Sequence, residues 1–400
     1  MTKPLKGLKV LDLTRVLSGP FCTMLLADMG AEVIKIERPG IGDDSRHFGP
    51  FKEQESGYYM LFNRGKKSIT LNLKDNQGKE IFKNMVKKCD VVVENFKPGV
   101  MEKLGLNYEV LSEINPQIVY CSISGFGNTS SFKKRPAYDL VAQAIGGMMS
   151  ITGYPDKPPV KVGSSLADMS SGLFAAYGIA LAVLNREKTG KGQSVDISMI
   201  DSIFTLLESN VVRYSIGEEV PTRIGNRHPI SAPFDTFLAK DGYIVIAIAN
   251  DALFAKFAET LGQPELSQNK KFNTDFNRLQ NQAELKQIIE SWLQDRTVKE
   301  ASELLLDSGI PCAPIYDIKQ TCESKHIQER EMMVELNHPK AGKVRVPGNP
   351  VKLSDTPASI KEPSPSLGEH NLEVLTELVG LSEGDIKELI HRGVIDKENS

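Results

Sequence analysis

Residues 8–37 read LKVLDLTRVLSGPFCTMLLADMGAEVIKIE, and their pattern decides the fold class of the chain. The apolar run at 8–14 predicts a buried strand, and the segment 31–37 predicts a second one. Between them, residues 21–29 have helical character, and Gly30 ends the helix. A strand, a helix and a second strand form a βαβ unit, so we expect a parallel sheet covered by helices.

The same alternation of strands and helices continues through the first half of the chain. We therefore predict an α/β fold whose first domain, residues 1–216, is Rossmann-like and is built on a parallel sheet. The further strands that the pattern predicts are 68–73, 90–95, 117–124 and 193–198, and one helix is expected over 202–214.

The glycine fingerprint of nicotinamide and flavin enzymes, G-x-G-x-x-G, does not follow the first strand. Gly19-Pro20 occupies that place. This difference argues against a dinucleotide enzyme, and we predict no permanently bound cofactor. The cysteines lack the spacing of metal ligands, so we predict no metal site and expect buried, reduced thiols. They are Cys22, Cys89, Cys121, Cys312 and Cys322.

The composition changes in residues 217–235, where Gly, Pro, Arg and Asn are frequent, as is typical of a linker or an active-site loop. Asp241-Gly242 predicts a hairpin turn between two strands, and helical segments follow. We predict that residues 217–330 form this linker and a smaller α+β domain. Residues 331–400 are expected to form a return linker, extended over residues 344–353, and C-terminal helices that pack on the large domain.

The overall composition is that of a globular protein, with 40% hydrophobic and 25% charged residues. A net charge of −3 gives no reason to expect nucleic acid or an anionic membrane as a partner. Residues 1–10 lack the apolar core of a signal peptide, and the run 173–184 is too short to span a bilayer. We therefore expect a cytoplasmic protein. Two local basic clusters, Arg64–Lys67 and Lys133–Arg135, are candidates for binding a polyphosphate.

Asp168 lies between a small, polar loop and the apolar run 173–184. We expect a helix from Met169, with Asp168 at or just before its N-terminus. Asp is a favoured N-cap, because its carboxylate accepts hydrogen bonds from the free N–H groups of the first turn. From this segment alone, capping is a better interpretation than catalysis.

Other segments of the chain reverse that order. In sequence and spacing they resemble the class III coenzyme A-transferases, a family that includes the formyl-CoA, carnitine-CoA and several dicarboxylate-CoA transferases. The resemblance extends from Leu8 to about Gly393. Besides residues 163–172, the segments that carry it are Leu17–Pro20, Gly30–Pro39, Val93–Gly99, Arg135–Ala144 and Lys188–Asp201.

This resemblance implies that Asp168 is the nucleophile of a covalent reaction. Its carboxylate would attack the donor thioester to give an aspartyl anhydride, and an aspartyl-CoA thioester would follow, from which an acceptor acid takes the CoA. Such steps need N–H donors aimed at the developing oxyanion, and they need water to be excluded because anhydrides hydrolyse. The helix N-terminus at Asp168 can supply such donors.

The resemblance also implies that the first domain, residues 1–216, binds CoA, and it indicates which residues make the contacts. Arg38 follows the second strand, where a guanidinium can pair with phosphate; a solvated surface charge is the alternative. Tyr138 suits the pantetheine arm or the catalytic carboxylate, and a core tyrosine is its alternative. Leu17 replaces the glutamine of formyl-CoA transferases, which argues against an oxalate-type site. The implied CoA contacts are Leu17, Ser18, Arg38, Leu71, Asn72, Leu73, Lys74, Asn95, Phe96, Lys97, Lys103, Pro136, Ala137, Tyr138 and Asp139.

The loop 225–235 matches the region of a glycine-rich lid in the formyl-CoA enzymes but lacks its run of glycines. Arg227 and His228 in this loop are candidate contacts for the acceptor carboxylate. The resemblance further implies a homodimer whose two protomers interlock like linked rings. We expect CoA thioesters as substrates, with succinyl-CoA or acetyl-CoA as the donor and a small carboxylic or dicarboxylic acid as the acceptor.

Two other functions remain open. The α-methylacyl-CoA racemases of the same superfamily carry a histidine at the position of Tyr138, and a phenol with a reference pKa of about 10 is a poor base near neutral pH. A non-catalytic CoA-binding protein is the second alternative, and Asp168 with its flanking motif argues against it. An assay for CoA exchange between a donor and an acid distinguishes catalysis from binding.

Overall fold

The computed structural model describes residues 3–397, and the chain divides into two compact units. Residues 149–160, which we expected in the large domain, belong to the smaller unit. The first unit takes in the chain up to Met148, residues Lys161–Glu219 and the chain from His326 on; the second takes in Met149–Val160 and Val220–Lys325.

A parallel sheet is the centre of the first unit. The strands up to residue 198 are β1 (Lys9–Asp12), β2 (Glu32–Glu37), β3 (Phe51–Lys52), β4 (Glu55–Ser56), β5 (Lys67–Thr70), β6 (Val91–Glu94), β7 (Val119–Ser124) and β8 (Ser194–Ser198). Within residues 3–397 the sheet has six strands in the order β5–β2–β1–β6–β7–β8, all parallel, while β3 and β4 form a separate hairpin. This is the strand order of doubly wound nucleotide-binding folds, so the predicted α/β fold with a parallel sheet is confirmed.

Helices connect the strands of the first unit, and several stretches differ from the prediction. One helix was expected over 202–214, but two are present; the first begins at Met199 because the Ser198 hydroxyl accepts the Asp201 N–H. The short helices α2, α6 and α7 were not predicted. The helices are α1 (Ser18–Asp28), α2 (Gly57–Asn63), α3 (Asn76–Val86), α4 (Val100–Leu104), α5 (Tyr108–Ile114), α6 (Asp139–Ile145), α7 (Met148–Ile151), α8 (Leu166–Thr189), α9 (Met199–Thr205) and α10 (Ser209–Ser215).

Both faces of the sheet are buried, because successive side chains of a strand point to opposite faces. In β1, Val10 packs in a core with residues of α1 and α8. Its neighbour Leu11 packs on the other face with Phe82 of α3 and with Leu389 near the C-terminus. The C-terminal segment therefore covers one face of the sheet of the first unit.

Helix α8 spans 24 residues and is longer than the apolar run 173–184 suggested. By length and composition alone it is long and apolar enough to cross a membrane, so the expectation that every apolar segment is too short is corrected. In the fold, Ala175, Ile179 and Ala182 of this helix are buried against the sheet, while Leu173, Tyr177 and Leu181 are exposed.

The second unit has an antiparallel sheet and a core of its own. Its strands are β9 (Phe234–Leu238), β10 (Tyr243–Ala247) and β11 (Cys312–Pro314), in the order β11–β10–β9. The hairpin predicted around Asp241-Gly242 is present as the β9–β10 pair. Phe237, Ile244 and Ile289 lie in the core of this unit. Its helices are α11 (Asp251–Thr260), α12 (Asp275–Gln280), α13 (Gln282–Leu293), α14 (Val298–Asp307) and α15 (Ile318–Glu323), with a 3₁₀ turn at Pro264–Gln268.

The chain enters the first unit again through α16 (Lys325–Glu329). A hairpin of β12 (Met333–His338) and β13 (Gly342–Pro347) follows, so the segment 344–353, predicted to be extended, is a strand only as far as Pro347. The last helices are α17 (Asn371–Val374), a π-helical turn at Leu375–Val379 and α18 (Glu383–His391).

The cysteines carry no disulfide in the structure, which describes all of them. Cys22, Cys89 and Cys121 are buried, whereas Cys312 and Cys322 are only half-buried. Burial raises the pKa of the Cys89 thiol to about 12, which makes it a poor nucleophile. The cytoplasmic location stays a prediction.

Candidate active site

The carboxyl ends of β1 and β6 lie next to each other at the point where the strand order of the sheet reverses. From β1 the chain continues outward through β2 and β5, and β6 begins the other half of the sheet. In open α/β sheets, ligands bind in the crevice at this switch point. We therefore expect a ligand site at the loops that follow these two strands, residues 13–17 and 95–99.

The loop after β1 is held in an unusual conformation. Val16 has φ 68, in the left-handed region that a β-branched residue rarely adopts. Its N–H donates to the buried Asp43 carboxylate at 3.0 Å. Asn95, just after β6, accepts from the Arg15 N–H and donates to the Arg15 carbonyl, both at 2.9 Å. The loop is thus fixed from two sides, and it leads directly into α1 at Ser18.

Helix α8 packs against the start of α1, which directly follows this loop. An added Cβ at Gly172 would lie 2.5 Å from the Ser18 carbonyl oxygen, so only glycine permits the approach. The Asn95 amide donates to the Ser18 hydroxyl at 3.3 Å, and that hydroxyl bonds to the Asp168 carboxylate. Asp168 is therefore brought to the switch point by contacts between α1 and α8.

Asp168 is the third residue of α8, and a different aspartate caps the helix. The helix begins at Leu166, and Ser165 at the N-cap position makes no side-chain cap bond. Instead, the Asp139 carboxylate accepts from the Ala167 N–H at 2.8 Å and also from the Gln143 amide at 2.8 Å. The capping interpretation of Asp168 is therefore wrong, because Asp139 fills that role from α6.

The electrostatic surroundings of Asp168 favour its neutral form. Burial raises the pKa of its carboxyl to about 7, the nearby Asp139 carboxylate adds to the rise, and the hydrogen bond from Ser18 opposes it. A carboxylate with this pKa is more basic than an ordinary one and is ionised above neutral pH. Perturbed carboxyls of this kind are found in functional sites.

Tyr58 is a site residue that sequence reasoning missed. It lies on α2, and its pKa is raised to about 12 by burial and then by the charges of Asp168, Asp43 and Asp139. Its hydroxyl therefore stays protonated and can donate a hydrogen bond. The only local signal was Ser56, which caps α2 by accepting the Tyr59 N–H, and that pattern marks a helix start without indicating a site.

A layer of buried charged side chains lies beneath the crevice. Lys35 pairs with Asp43 at 2.8 Å and donates to the Thr14 carbonyl, while Lys66 pairs with Asp12 at 3.0 Å. Burial lowers the pKa of Lys66 to about 8, against the opposing effect of Asp12. Separating the partners of such a pair would leave uncompensated buried charges, which is strongly unfavourable. The pairs therefore fix the ends of β1 and β2.

In the basic cluster Arg64–Lys67, Arg64 and Lys66 are buried and Lys67 pairs with Glu32 and Glu373, so the hypothesis that the cluster binds polyphosphate is wrong. Arg64 is 2% exposed and pairs with Asp28, and Lys66 is fully buried. Their partners are far away in the sequence, so the local pattern could not predict that these side chains are buried. The second cluster, Lys133–Arg135, is exposed.

The predicted CoA contacts fall into two groups in the first unit. Most follow the carboxyl ends of β1, β2, β5 and β6, which a parallel sheet places at one edge. Lys103 lies on α4, and the last four precede or begin α6, whose first residue, Asp139, reaches α8. The first group is Leu17, Ser18, Arg38, Leu71, Asn72, Leu73, Lys74, Asn95, Phe96 and Lys97; the last four are Pro136, Ala137, Tyr138 and Asp139.

These residues differ in what they can offer a ligand. The side chain of Leu71 is buried in the core, so only its backbone is available, and Leu17 is also buried. Lys97 and Lys103 are exposed. Tyr138 is 79% exposed, which excludes the alternative of a core tyrosine. Arg38 is also exposed and pairs with Asp44 at 2.9 Å.

Arg227 and His228 lie in the second unit. Arg227 lines a cavity of about 320 Å³ together with Tyr154, Asn226 and Lys286, all from the same unit. The His228 ring packs on Phe234 with the ring centroids 4.9 Å apart. The two side chains thus have different surroundings, and only Arg227 lines the cavity.

Comparison with known proteins agrees with this geometry. A family model described as CoA-transferase family III matches residues 5–371. Succinyl-CoA:glutarate CoA-transferase of Mus musculus is 41% identical over 399 residues, covering 100% of this chain and 92% of that protein. Acetyl-CoA:oxalate CoA-transferase of Acetobacter aceti is 45% identical over 352 residues, covering 88% of this chain and 89% of that protein.

A solved structure shares the fold as well. The CAIB/BAIF family protein from Brucella suis superposes with a TM-score of 0.85 at 36% identity, covering 94% of this chain and 100% of that one. The match of the family model runs from the βαβ unit at the start to α17, and the similarity to the mouse protein covers the full chain. The chain belongs to CoA-transferase family III and is a CoA-transferase.

Proposed function

We propose that this enzyme moves CoA from succinyl-CoA or acetyl-CoA to a small dicarboxylic acid, with Asp168 as the covalent carrier. The observation that carries the proposal is the state of Asp168 itself. Its carboxylate is half-buried in the first turn of α8, is free of the capping role and has a pKa raised to about 7. It is thus a nucleophile of increased basicity at the ligand-binding edge of the sheet.

The first half of the reaction loads CoA onto the enzyme. The ionised Asp168 carboxylate attacks the thioester carbonyl of the donor, the C–S bond breaks, and a mixed anhydride and CoA thiolate form. The thiolate then attacks the aspartyl carbonyl of the anhydride. The donor acid leaves as its carboxylate, and Asp168 carries CoA as a thioester.

The second half repeats these steps in reverse with a different acid. The acceptor carboxylate attacks the aspartyl thioester, which expels CoA thiolate and leaves a second mixed anhydride. The thiolate attacks the acceptor carbonyl, so the acceptor becomes a CoA thioester and the Asp168 carboxylate is restored. Overall, one thioester is exchanged for another of similar energy, which makes the transfer possible without an external energy source, and the covalent intermediates divide the exchange into easier steps.

Developing negative charge on the attacked carbonyl needs donors close to Asp168. Among the described residues, no side chain caps α1, whose first turn carries the N–H groups of Ser18 and Gly19 and lacks one at Pro20. Free N–H groups at a helix N-terminus favour an anion. We infer that these groups, with the protonated Tyr58 hydroxyl, stabilise the oxyanion.

The choice of substrates rests on the similar proteins. The mouse relative is named for succinyl-CoA and glutarate, and the Acetobacter aceti relative for acetyl-CoA and oxalate. Both named acceptors are dicarboxylic acids. Arg227 and His228 are proposed contacts for the acceptor carboxylate, Arg227 because a guanidinium that lines a cavity suits a carboxylate. The other proposed CoA contacts are those assigned above from the family resemblance.

The covalent intermediate can be trapped directly. We expect that incubation with succinyl-CoA followed by hydroxylamine converts Asp168 to a hydroxamate, which peptide mass spectrometry locates. Asp201→Asn is the matched control, because Asp201 is likewise the third residue of its helix but is exposed, and this variant should still be trapped at Asp168. Deuterium exchange at the α-carbon of a 2-methylacyl-CoA, without CoA exchange between acids, would contradict the proposal and favour the racemase.

We also propose the interlocked homodimer. Leu173, Tyr177 and Leu181 form an exposed apolar row along α8, and Leu184 extends it. Exposed apolar rows of this length are typical of surfaces that another chain covers. Light scattering checks the mass, and a dimer of linked rings, unlike a face-to-face dimer, does not dissociate on dilution without unfolding.

A further inference from the structure

Two arginines share one aspartate at the ligand-binding edge of the sheet. Arg15, after β1, donates to one carboxylate oxygen of Asp44 at 2.9 Å, and Arg38, after β2, donates to the other at 2.9 Å. The side chains of Arg15, Arg38 and Asp44 are 42%, 57% and 35% exposed. We call Arg15 and Arg38 the arginine pair.

The backbone on each side of this pair is fixed by side-chain hydrogen bonds. The Asn95 side chain accepts a hydrogen bond from the Arg15 N–H and donates one to the Arg15 carbonyl. Asp43, the neighbour of Asp44, is buried, pairs with Lys35 and accepts the Val16 N–H. These contacts hold Val16, the residue after Arg15, in its strained left-handed conformation. The backbone around an ordinary surface arginine does not need to be fixed by so many hydrogen bonds.

The charges of the pair are not balanced. Two guanidinium groups and one carboxylate leave a net charge of +1. Each guanidinium has five N–H donors, and in residues 3–397 each directs one hydrogen bond to Asp44. Exposed ion pairs contribute little to stability, so stability does not account for the arrangement. The free donors and the excess charge suit an anion with several acceptor oxygens.

We propose that Arg15 joins Arg38 in binding a phosphate group of the CoA nucleotide, with Asp44 holding the two guanidinium groups apart at a fixed distance. This inference rests on the proposed function, since it assumes that CoA is the ligand. Sequence reasoning included Arg38 and omitted Arg15 and Asp44. CoA carries both a diphosphate and a 3′-phosphate, and either group presents the oxygens that this pair can bind.

Calorimetric titration of Arg15→Gln with CoA and with 3′-dephospho-CoA tests the inference. We expect CoA to bind to Arg15→Gln at least about tenfold more weakly than to wild type, because one charge-assisted contact is lost. If the penalty disappears with 3′-dephospho-CoA, the pair holds the 3′-phosphate; if it persists, the pair holds the diphosphate. Both results support the inference. Arg15→Lys should restore part of the affinity, because it keeps the charge and loses the planar fork.

A matched control and the contradicting outcomes complete the test. Arg330 is an exposed arginine outside the proposed site, and Arg330→Gln should leave the CoA dissociation constant unchanged. An unchanged constant for Arg15→Gln overturns the inference and leaves the proposed function intact. A raised KM for the acceptor acid with unchanged CoA binding also overturns it, because Arg15 would then bind a carboxylate. Failure of wild type to bind CoA overturns both.

Discussion

Helices α8 and α18 begin with the same pattern, a serine followed three residues later by an aspartate. In α18, Ser382 and Asp385 form a capping box, each side chain bonded to the backbone N–H of the other residue. In α8, Ser165 makes no side-chain cap bond, and Asp139 of α6 accepts the Ala167 N–H instead. One local pattern thus has two outcomes, because a distant carboxylate takes over the cap of α8.

The electrostatic consequences are opposite. Hydrogen bonds from the Ser382 hydroxyl and backbone lower the pKa of Asp385. Burial, and then the charge of Asp139, raise the pKa of Asp168 to about 7. A carboxylate engaged in capping is weakly basic, whereas one released from capping and partly desolvated retains its nucleophilicity. The difference indicates how a helix start becomes an active site.

The largest expected effect is on turnover. Asp168→Asn should lower the rate of CoA transfer by at least about a thousandfold, because the amide cannot form the anhydride. Asp385→Asn should leave the rate within about twofold, since that carboxylate only caps α18. Mass spectrometry of the CoA esters measures both rates. A near-normal rate for Asp168→Asn would contradict the assignment of Asp168 as the nucleophile and would leave it with no catalytic difference from Asp385.

The second effect is on the pH dependence. Asp168 must be ionised to attack, so kcat/KM should fall about tenfold per pH unit below a pH of about 7 and level off above it. Asp139→Asn removes a like charge and should move this profile to lower pH, while its amide oxygen can still accept the Ala167 N–H. Asp385→Asn should not move the profile. A profile that stays in place in Asp139→Asn would mean that another group titrates.

The smallest effect is on stability. Because the folded-state pKa of Asp168 is raised, the unfolding free energy falls as pH rises from the unfolded pKa of about 4 to about 7. Asp168→Asn should therefore stabilise the protein at pH 8, by about 1–3 kcal/mol, and have little effect at pH 4. Thermal unfolding at both pH values measures this.

The matched variant at α18 should have the opposite sign. Asp385 has a lowered pKa, so its contribution is present at neutral pH and is lost in acid. Asp385→Asn should therefore destabilise at pH 8 and be neutral in strong acid. Equal behaviour of the two variants would contradict the assignment of their different roles.

Much of the fold could be predicted because it depends on local periodicity. The βαβ pattern of residues 8–37 and the later strands are present in the structure within a few residues. The buried charged layer could not be predicted, because the carboxylates that pair with Lys35, Lys66 and Arg64 lie in other segments of the fold. A lysine in a predicted strand is expected to be exposed, because lysine is rarely buried unless it is paired with a carboxylate.

The site divides in the same way. Sequence alone determined the α/β class, the family resemblance and Asp168 as the candidate nucleophile, since these depend on residue types and their spacing. Only the tertiary structure decided that Asp139, 28 residues before Ala167, caps α8 and frees Asp168, and that Arg15 meets Arg38 on Asp44. Hydrogen bonds and charge interactions act over a few ångströms in space, and sequence separation carries no information about that distance.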